Sequence, residues 1–240
     1  MKLRTILIST LIVFSVVFIG LQIAQLELQA AGVRALLLLL LTALYCNKVK
    51  HKRLFFFLFF IAFALAETLN FFSLFIKVGT NNVDYSYYLV NSLYILSYIF
   101  LIIQVIKGMD VKDVIRKFPL HIIILVILDI SSVLVVTNTT KSQLNNHEYS
   151  LEFVYNAVIM LLLTVALINY IHKDDKKSMN LLLASIFIVF SEVIQLTYFY
   201  VAEINILNVF CSLFLVLAFL FFYLQARLPY QLKPNELHKI

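Results

Sequence analysis

The sequence predicts an all-α integral membrane protein, a single bundle of eight transmembrane helices spanning 1–240 with both termini on the cytoplasmic side. Three observations lead there. Hydrophobic residues make up 62% of the 240-residue chain and charged residues 13%, against about 45–50% and about 25% in soluble domains. Eight apolar segments approach the roughly 20 residues that a helix needs to cross a hydrocarbon core. Lys and Arg alternate between the two ends of those segments, as expected when cytoplasmic loops collect positive charge.

The first segment, 5–26, follows Met-Lys-Leu-Arg and stays apolar past Gly20 to Ala24. It exceeds the ~7–15-residue core of a signal peptide, so an uncleaved helix is expected; cleavage would leave seven spans. The second, 31–46, is short and carries Arg34 near its outer end. Snorkelling to headgroups is the default for such an arginine, and a lipid phosphate the alternative. The third, 54–76, contains Glu67, and the fourth, 85–106, opens on Tyr85, Tyr87 and Tyr88. The fifth, 118–136, contains Asp129 and is followed by a polar outer loop, 137–148, with the sequon Asn138-Thr139-Thr140. The sixth, 149–171, starts near Glu152, which reads as a solvated interfacial acid. The seventh, 179–201, closes on Tyr198 and Tyr200, and a tight turn at Ala202-Glu203-Ile204 leads into the eighth, 205–226. Tyrosines at these ends suit headgroup level.

One face collects Lys2, Arg4, Lys48, Lys50, Lys52, Arg53, Lys107, Lys112, Arg116, Lys117, Lys173, Lys176, Lys177, Arg227, Lys233 and Lys239. The other holds only Arg34, Lys77 and Lys141. Sixteen against three orients both termini inward. The net charge of +6 therefore belongs to topology and anionic lipid, and no basic, aromatic-interleaved face for nucleic acid is present. Cys46 and Cys211 lie in or beside apolar spans, which suggests neither a disulfide framework nor a metal site. The histidines His51, His121, His147, His172 and His238 sit in loops or at helix ends without metal-ligand spacing. No metal and no cofactor are expected. Pro119, Pro229 and Pro234 avoid helix interiors, and spans three to eight lack glycine. Unbroken helices weigh against a transporter, whose sites use discontinuous ones.

Ionisable groups inside a bilayer cost about 2.5–3.5 kcal/mol on insertion scales and flag function by default. Glu67, Asp129 and Glu192 lie well inside their spans, and Asn91 and Asn156 reach comparable depth from the same side. Five polar residues on five helices thus form one layer. Glu67 is followed three residues later by Asn70, and Glu192 by Gln195, each pair on one helix face. Each motif leads into a helix whose cytoplasmic end carries a glutamine, Gln104 or Gln225. Such matching is what two parallel four-helix repeats would give. Buried this way, at least one glutamate is expected to be protonated at neutral pH, and a neutral acid beside a carboxylate suits acid–base chemistry. The same acids could instead hold helices together through carboxamide partners.

At these residues the chain resembles the YhhN-type lysoplasmalogenases, a family of eight-helix membrane proteins. The resemblance runs over about 45–228. It rests on the basic turn 48–53, Ala66-Glu67, Val90-Asn91-Ser92-Leu93-Tyr94, Tyr155, Ser191-Glu192 and Phe221-Phe222-Tyr223-Leu224-Gln225. Glu67 and Glu192 stand where the family has aspartate, and Asn91 where it has histidine. The resemblance implies hydrolysis of the vinyl-ether bond of a lysophospholipid. Of Glu67 and Glu192, one would be general acid and the other electrostatic stabiliser or water base. Asn91, Tyr94 and Gln225 would orient water or substrate, and Tyr155 stands at a family tyrosine. From the polar layer, Asn70, Gln195 and Asn156 join the candidate substrate site, and Asp129 is either a third acid of that site or an interior hydrogen-bonded acid.

A non-catalytic sensory or interaction module and, third, a proton-coupled transporter remain open beside the hydrolase. The expected partner is membrane lipid, with no nucleic acid, and a homo-oligomer is left open. The expected location is a multi-pass position in the cell membrane, a bacterial inner membrane by family resemblance and compact loops.

Overall fold

A computed structural model describes residues 2–48, 53–76 and 84–228. Lys50, Lys52, Lys77, Lys233, Lys239, His51, His238, Pro229 and Pro234 lie outside the described residues, as do the side chains of Lys2, Arg4 and Lys48.

Among the described residues the chain forms nine helices and no strand: α1 (Lys2–Ile23), α2 (Glu27–Lys48), α3 (Leu54–Ser73), α4 (Tyr85–Lys107), α5 (Val111–Lys117), α6 (Pro119–Asn138), α7 (Asn146–Lys173), α8 (Lys176–Tyr200) and α9 (Asn205–Arg227). Eight are long and apolar enough to cross a membrane. Only helices that satisfy their own backbone groups can do so in lipid. The chain is therefore a multi-pass helical membrane protein. Polar caps set the boundaries. Asp84 accepts from the backbone amides of Ser86 and Tyr87 at the start of α4. Asn145 and Glu148 form a reciprocal capping box on α7, and Asp175 with Ser178 forms one on α8. Pro119 occupies the first turn of α6, where its missing N–H costs nothing. Gln25 (φ 59) and Asp174 (φ 49) adopt the left-handed conformation at the α1–α2 and α7–α8 turns.

Two boundaries differ from expectation. The second span is full length, 22 residues instead of the short 31–46. Glu27 and Gln29 interrupt its apolar run, but they lie in the first turns at the end of the bundle, where a helix keeps its bonds whatever its side chains. The extra helix α5 falls in what reads as a cytoplasmic loop. Asp110 caps it, and Asp113 on it accepts from Lys117 at 2.8 Å and contacts His172 Nε2 of α7 at 3.0 Å. Hydrogen bonds from Lys117 and then His172 hold the Asp113 carboxyl below the usual carboxylate range. A lowered carboxyl value stabilises the folded state above it, and that contribution is lost only in acid as pH falls through it.

The main contacts follow a ring: α1 against α2, α2 against α3, α3 against α4, α4 against α7, α7 against α8, α8 against α9, and α9 back to α1. α6 stands outside this ring and packs on α7. α2 and α9 meet over only a short stretch, with α1 between them. The core at mid-bundle is aromatic. Phe59 stacks on Phe219 (6.0 Å, 3°), and Phe63 meets Phe219, Tyr94 and Tyr98 edge-on at 4.7, 5.0 and 5.8 Å. Lipid supplies no hydrophobic drive between helices, so this packing itself holds them together.

Phe63 is 1% exposed and touches α4 and α9 at once. Phe63→Ala is expected to lower unfolding stability in micelles by about 3–5 kcal/mol, the usual cost of emptying a buried aromatic site. Phe72→Ala, at a side chain 56% exposed, should change it by less than about 0.5 kcal/mol.

Candidate functional site

Arg34 lies seven residues into α2, Glu67 six residues before the end of α3, and Glu192 eight before the end of α8. At about 1.5 Å per residue these are depths of ~9–12 Å from the same end of the bundle, opposite the end marked by Lys107, Lys173 and Arg227. The three converge. Arg34 Nε stands 2.6 Å from Glu67 Oε2, with the two side chains 13% and 4% exposed. It is a contact of charges, since neither atom makes an aligned hydrogen bond within the protein. The Tyr98 hydroxyl donates to Glu192 Oε1 at 2.6 Å. Tyr155 packs edge-on against both Tyr98 (6.1 Å) and Tyr94 (6.3 Å), and Tyr94 lies within electrostatic reach of Glu67, Arg34 and Glu192.

The local sequence explains these positions. Tyr94 and Tyr98 are four apart and share a face of α4, and Phe63 fixes both rings from α3. The Ser191 hydroxyl donates to the Cys211 carbonyl at 2.9 Å, which clamps α8 to α9 and leaves the next residue, Glu192, facing inward. Gly32 lets α2 approach α3, since a Cβ there would sit 3.1 Å from the Phe71 ring.

Arg34, Glu67, Glu192, Tyr94 and Tyr155 line a cavity of about 230 Å³ that extends from the helix ends near Asp84 and Tyr200 down to Arg34. It brings together eight residues expected from the sequence: Glu67, Glu192, Asn70, Asn91, Tyr94, Tyr155, Asn156 and Gln195. Two expected residues are elsewhere. Gln225 lies fourteen residues beyond Cys211 on α9, ~21 Å along the axis, in a separate small cavity with Gln104, Asn169 and Lys177. Its place in the sequence pattern marked the opposite end of the bundle. Asp129 shares the depth of the acids but belongs to α6, outside the ring, where Thr164 of α7 is its hydrogen-bonding neighbour.

Three further readings change. Arg34 does not snorkel; its helix face points into the bundle, where Glu67 balances its charge. Glu152 is not solvated: it is 7% exposed and accepts from Asn156 Nδ2 at 3.1 Å and from the Tyr87 hydroxyl at 3.5 Å. The carboxamides one turn after the glutamates line the cavity, but none of the described hydrogen bonds joins Asn70 to Glu67 or Gln195 to Glu192. Asn91 bonds the Tyr87 carbonyl at 2.8 Å, and Asn156 also reaches Thr137 Oγ1 of α6 at 3.2 Å.

Sequence reasoning missed Tyr98 and Tyr87 and misread Arg34 and Glu152. The signals were there: Tyr98 follows Tyr94 by four, Glu152 precedes Asn156 by four, and an arginine inside a span is costly enough to need a partner. Among the described residues no three His, Cys, Asp or Glu side chains converge as a metal site.

Comparison with protein-family models, curated proteins and solved structures gave no match. What the site can do follows from its chemistry alone. One carboxylate is charge-balanced by a guanidinium, a second glutamate is held by a tyrosine hydroxyl, and the space between them is walled by carboxamides and phenols. That set can hold a polar group and move protons at it.

Removing one member of a buried ion pair strands the other. Arg34→Gln should therefore cost about 3–5 kcal/mol of stability, while Arg34→Met combined with Glu67→Leu should recover most of it. Denaturation of the unaltered protein and the two variants in one detergent checks this.

Proposed function

We propose that this chain is a membrane hydrolase related to the YhhN-type lysoplasmalogenases, opening the vinyl-ether bond of a lysophospholipid by carboxylate acid–base chemistry. The observation that carries the reading is the convergence of Glu67 and Glu192, from separate helices, on one cavity in which, among the described ion pairs, the guanidinium of Arg34 is paired with Glu67 and not with Glu192. That asymmetry divides the roles. Glu67, paired with a cation, is the carboxylate. Glu192, whose described hydrogen-bond partner is the Tyr98 hydroxyl, is the proton donor.

The steps balance on those two groups. Glu192 gives its proton to the vinyl carbon remote from the ether oxygen, which leaves an oxocarbenium ion on the carbon beside it. Glu67 stabilises that cation and accepts a proton from the water that attacks it. The resulting hemiacetal gives its hydroxyl proton to Glu192 as the carbon–oxygen bond breaks to leave an aldehyde, and the departing alkoxide takes the proton held by Glu67, so both groups return to their starting states. Asn91 and Tyr94 orient water and substrate.

Both alternatives sit less well with the geometry. Buried acids that only hold helices together would have their own carboxamide partners and no cavity. Here no described hydrogen bond joins Glu67 or Glu192 to a carboxamide, although Asn156 does bond Glu152, and 230 Å³ of space adjoins the acids. A proton-coupled transporter needs access from both ends. The polar cavity and the small cavity at the other end share no lining residue, and the space that adjoins the polar cavity at Arg34 and runs on to Arg227 has almost wholly apolar walls.

The same reading takes the sixteen-to-three distribution of Lys and Arg as orientation, with both termini cytoplasmic and the polar cavity opening away from the cytoplasm. The halves then correspond as parallel repeats, α3 to α8 and α4 to α9, each half giving one glutamate. The host is a cell membrane, and a bacterial inner membrane fits the resemblance.

Purified protein incubated with lysoplasmalogen is expected to release aldehyde, and Glu67→Gln and Glu192→Gln should each reduce the rate by at least about 100-fold, the lower range for a positioned acid or base. Aldehyde release that survives both substitutions would remove the acid pair from the mechanism. Absence of turnover on every ether lysolipid would favour the non-catalytic module.

A further inference from the structure

The polar cavity is not the largest space in the molecule. A second cavity of about 430 Å³ runs between α1, α2 and α9, and apart from Ser15, Tyr223 and the arginines Arg34 and Arg227 its walls are apolar. It exists because α1 wedges between α2 and α9, which meet over only a short stretch. Arg34 and Leu215 line both this groove and the polar cavity. The two spaces therefore share a wall one side chain thick, and half of that wall is the guanidinium paired with Glu67.

Its dimensions suit one hydrocarbon chain. From Arg34 to Leu44 on α2 is ten residues, and from Leu215 to Arg227 on α9 is twelve, or ~15 and ~18 Å. One leaflet of a bilayer core, half of about 30 Å, has that depth. Both ends of the groove carry an arginine, but Arg227 is exposed at the helix terminus whereas the Arg34 side chain is only 13% exposed, so the Arg34 end decides which end of a molecule goes where. A bulk lipid tail would press its methyl end against a buried ion pair, which is costly. An amphiphile would put the oxygens between head and tail there instead. Arg34 Nε and Glu67 Oε2 each lack an aligned hydrogen bond within the protein, so a ligand oxygen or hydroxyl finds open valences at that point.

We infer that the groove between α1, α2 and α9 is the tail site for a single-chain amphiphile whose polar head occupies the Glu67–Glu192 cavity, with Arg34 at the head–tail junction. α1 is the lipid-side wall of that site: Ile12 and Val16 on it line the groove and are 61% and 66% exposed. The inference rests on the reading of Glu67 and Glu192 as the reacting groups for its chemistry, since the junction then lies against Glu67. Its binding component stands apart from turnover.

The absence of tryptophan in the chain makes a direct test available. Leu220→Trp and Ile12→Trp place a sole indole in the groove at positions already partly exposed, 47% and 61%, and Ile127→Trp places one on the lipid face of α6 at 61%. Each variant is reconstituted in dioleoyl phosphatidylcholine vesicles and titrated with lysophosphatidylcholine brominated in mid-chain. The expected result is saturable quenching at both groove positions, half-complete at a mole fraction about tenfold lower than at Ile127→Trp, equivalent to ~1.4 kcal/mol of preference. Brominated two-chain phosphatidylcholine should quench all three alike. Glu192→Gln in the Leu220→Trp background should keep the saturable quenching while losing aldehyde release.

Quenching in the groove that merely parallels Ile127→Trp would overturn the tail site, even with turnover intact. Saturable quenching without aldehyde release by the otherwise unaltered protein would keep the tail site and remove the hydrolase. Where one groove variant fails to fold, the other carries the comparison.

Discussion

The Arg34–Glu67 contact is the constraint on which the architecture around it turns. Two full charges ~10 Å inside an apolar bundle are tolerable only together, because either alone would cost several kcal/mol. Their pairing fixes α2 against α3 in register and depth, and Gly32 permits the approach by leaving room for Phe71. Other polar groups pair at a similar depth. Glu192 takes the Tyr98 hydroxyl, Ser191 takes the Cys211 carbonyl, and Asn156 takes Glu152 and Thr137. A hydrophobic pair of equal volume would hold α2 to α3 at least as well. The charges are thus expensive as glue, and their value lies in the field they set up beside Glu192.

Below that polar layer the bundle is built for rigidity. Phe59, Phe63, Phe219 and Phe222 interlock at centroid distances of 4.7–6.1 Å, and such pairs add about 0.5–1.5 kcal/mol each beyond burial. Tyr94 and Tyr98 belong to both regions, their rings in the aromatic packing and their hydroxyls at the acids. The acids therefore adjoin the densely packed aromatic core through Tyr94 and Tyr98, whose rings are buried against Phe63. Straight helices without internal proline are what such a layer requires, because a kink would part the rings.

Much of this was legible in the sequence, and the limits are physical. Span number and depth follow from one-dimensional quantities, the length of apolar runs and the position of an acid along its helix. Glu67, Glu192, Asn91 and Asn156 were found that way and do meet in one cavity. Depth says nothing of azimuth or of a helix's place in the ring. Asp129 has the right depth on a helix that stands outside, and Gln225 lay on the right helix at the wrong end. Arg34 and Glu152 failed for a related reason. Near a helix end an ionised side chain can reach water or turn inward, and the choice belongs to a partner on another helix, Glu67 for one and Tyr87 for the other. α5 is too short and too charged to register as a span, and its place is set by the contact of Asp113 with His172.

The position of α1 connects the fold to the site. α4 packs on α7 directly, whereas the other seam of the ring, between α2 and α9, is filled by a helix that buries little of itself. α1 is tied down mainly at one end. Gln22 accepts from Asn208, the Ile23 carbonyl accepts from Asn205, and Glu27 just beyond accepts from Tyr198. Along the span it meets α2 and α9 with Leu7, Ile8, Leu11, Phe14, Phe18 and Leu21, of which only Phe18 is fully buried, and apolar side chains in lipid gain little by choosing protein over acyl chains. A helix pinned by hydrogen bonds at one end and held by weak apolar contact along its length leaves space where it fails to close the seam. That space ends at Arg34. The bundle is thus stiff where the acids are held and loosely closed on the one side from which a lipid tail could reach them.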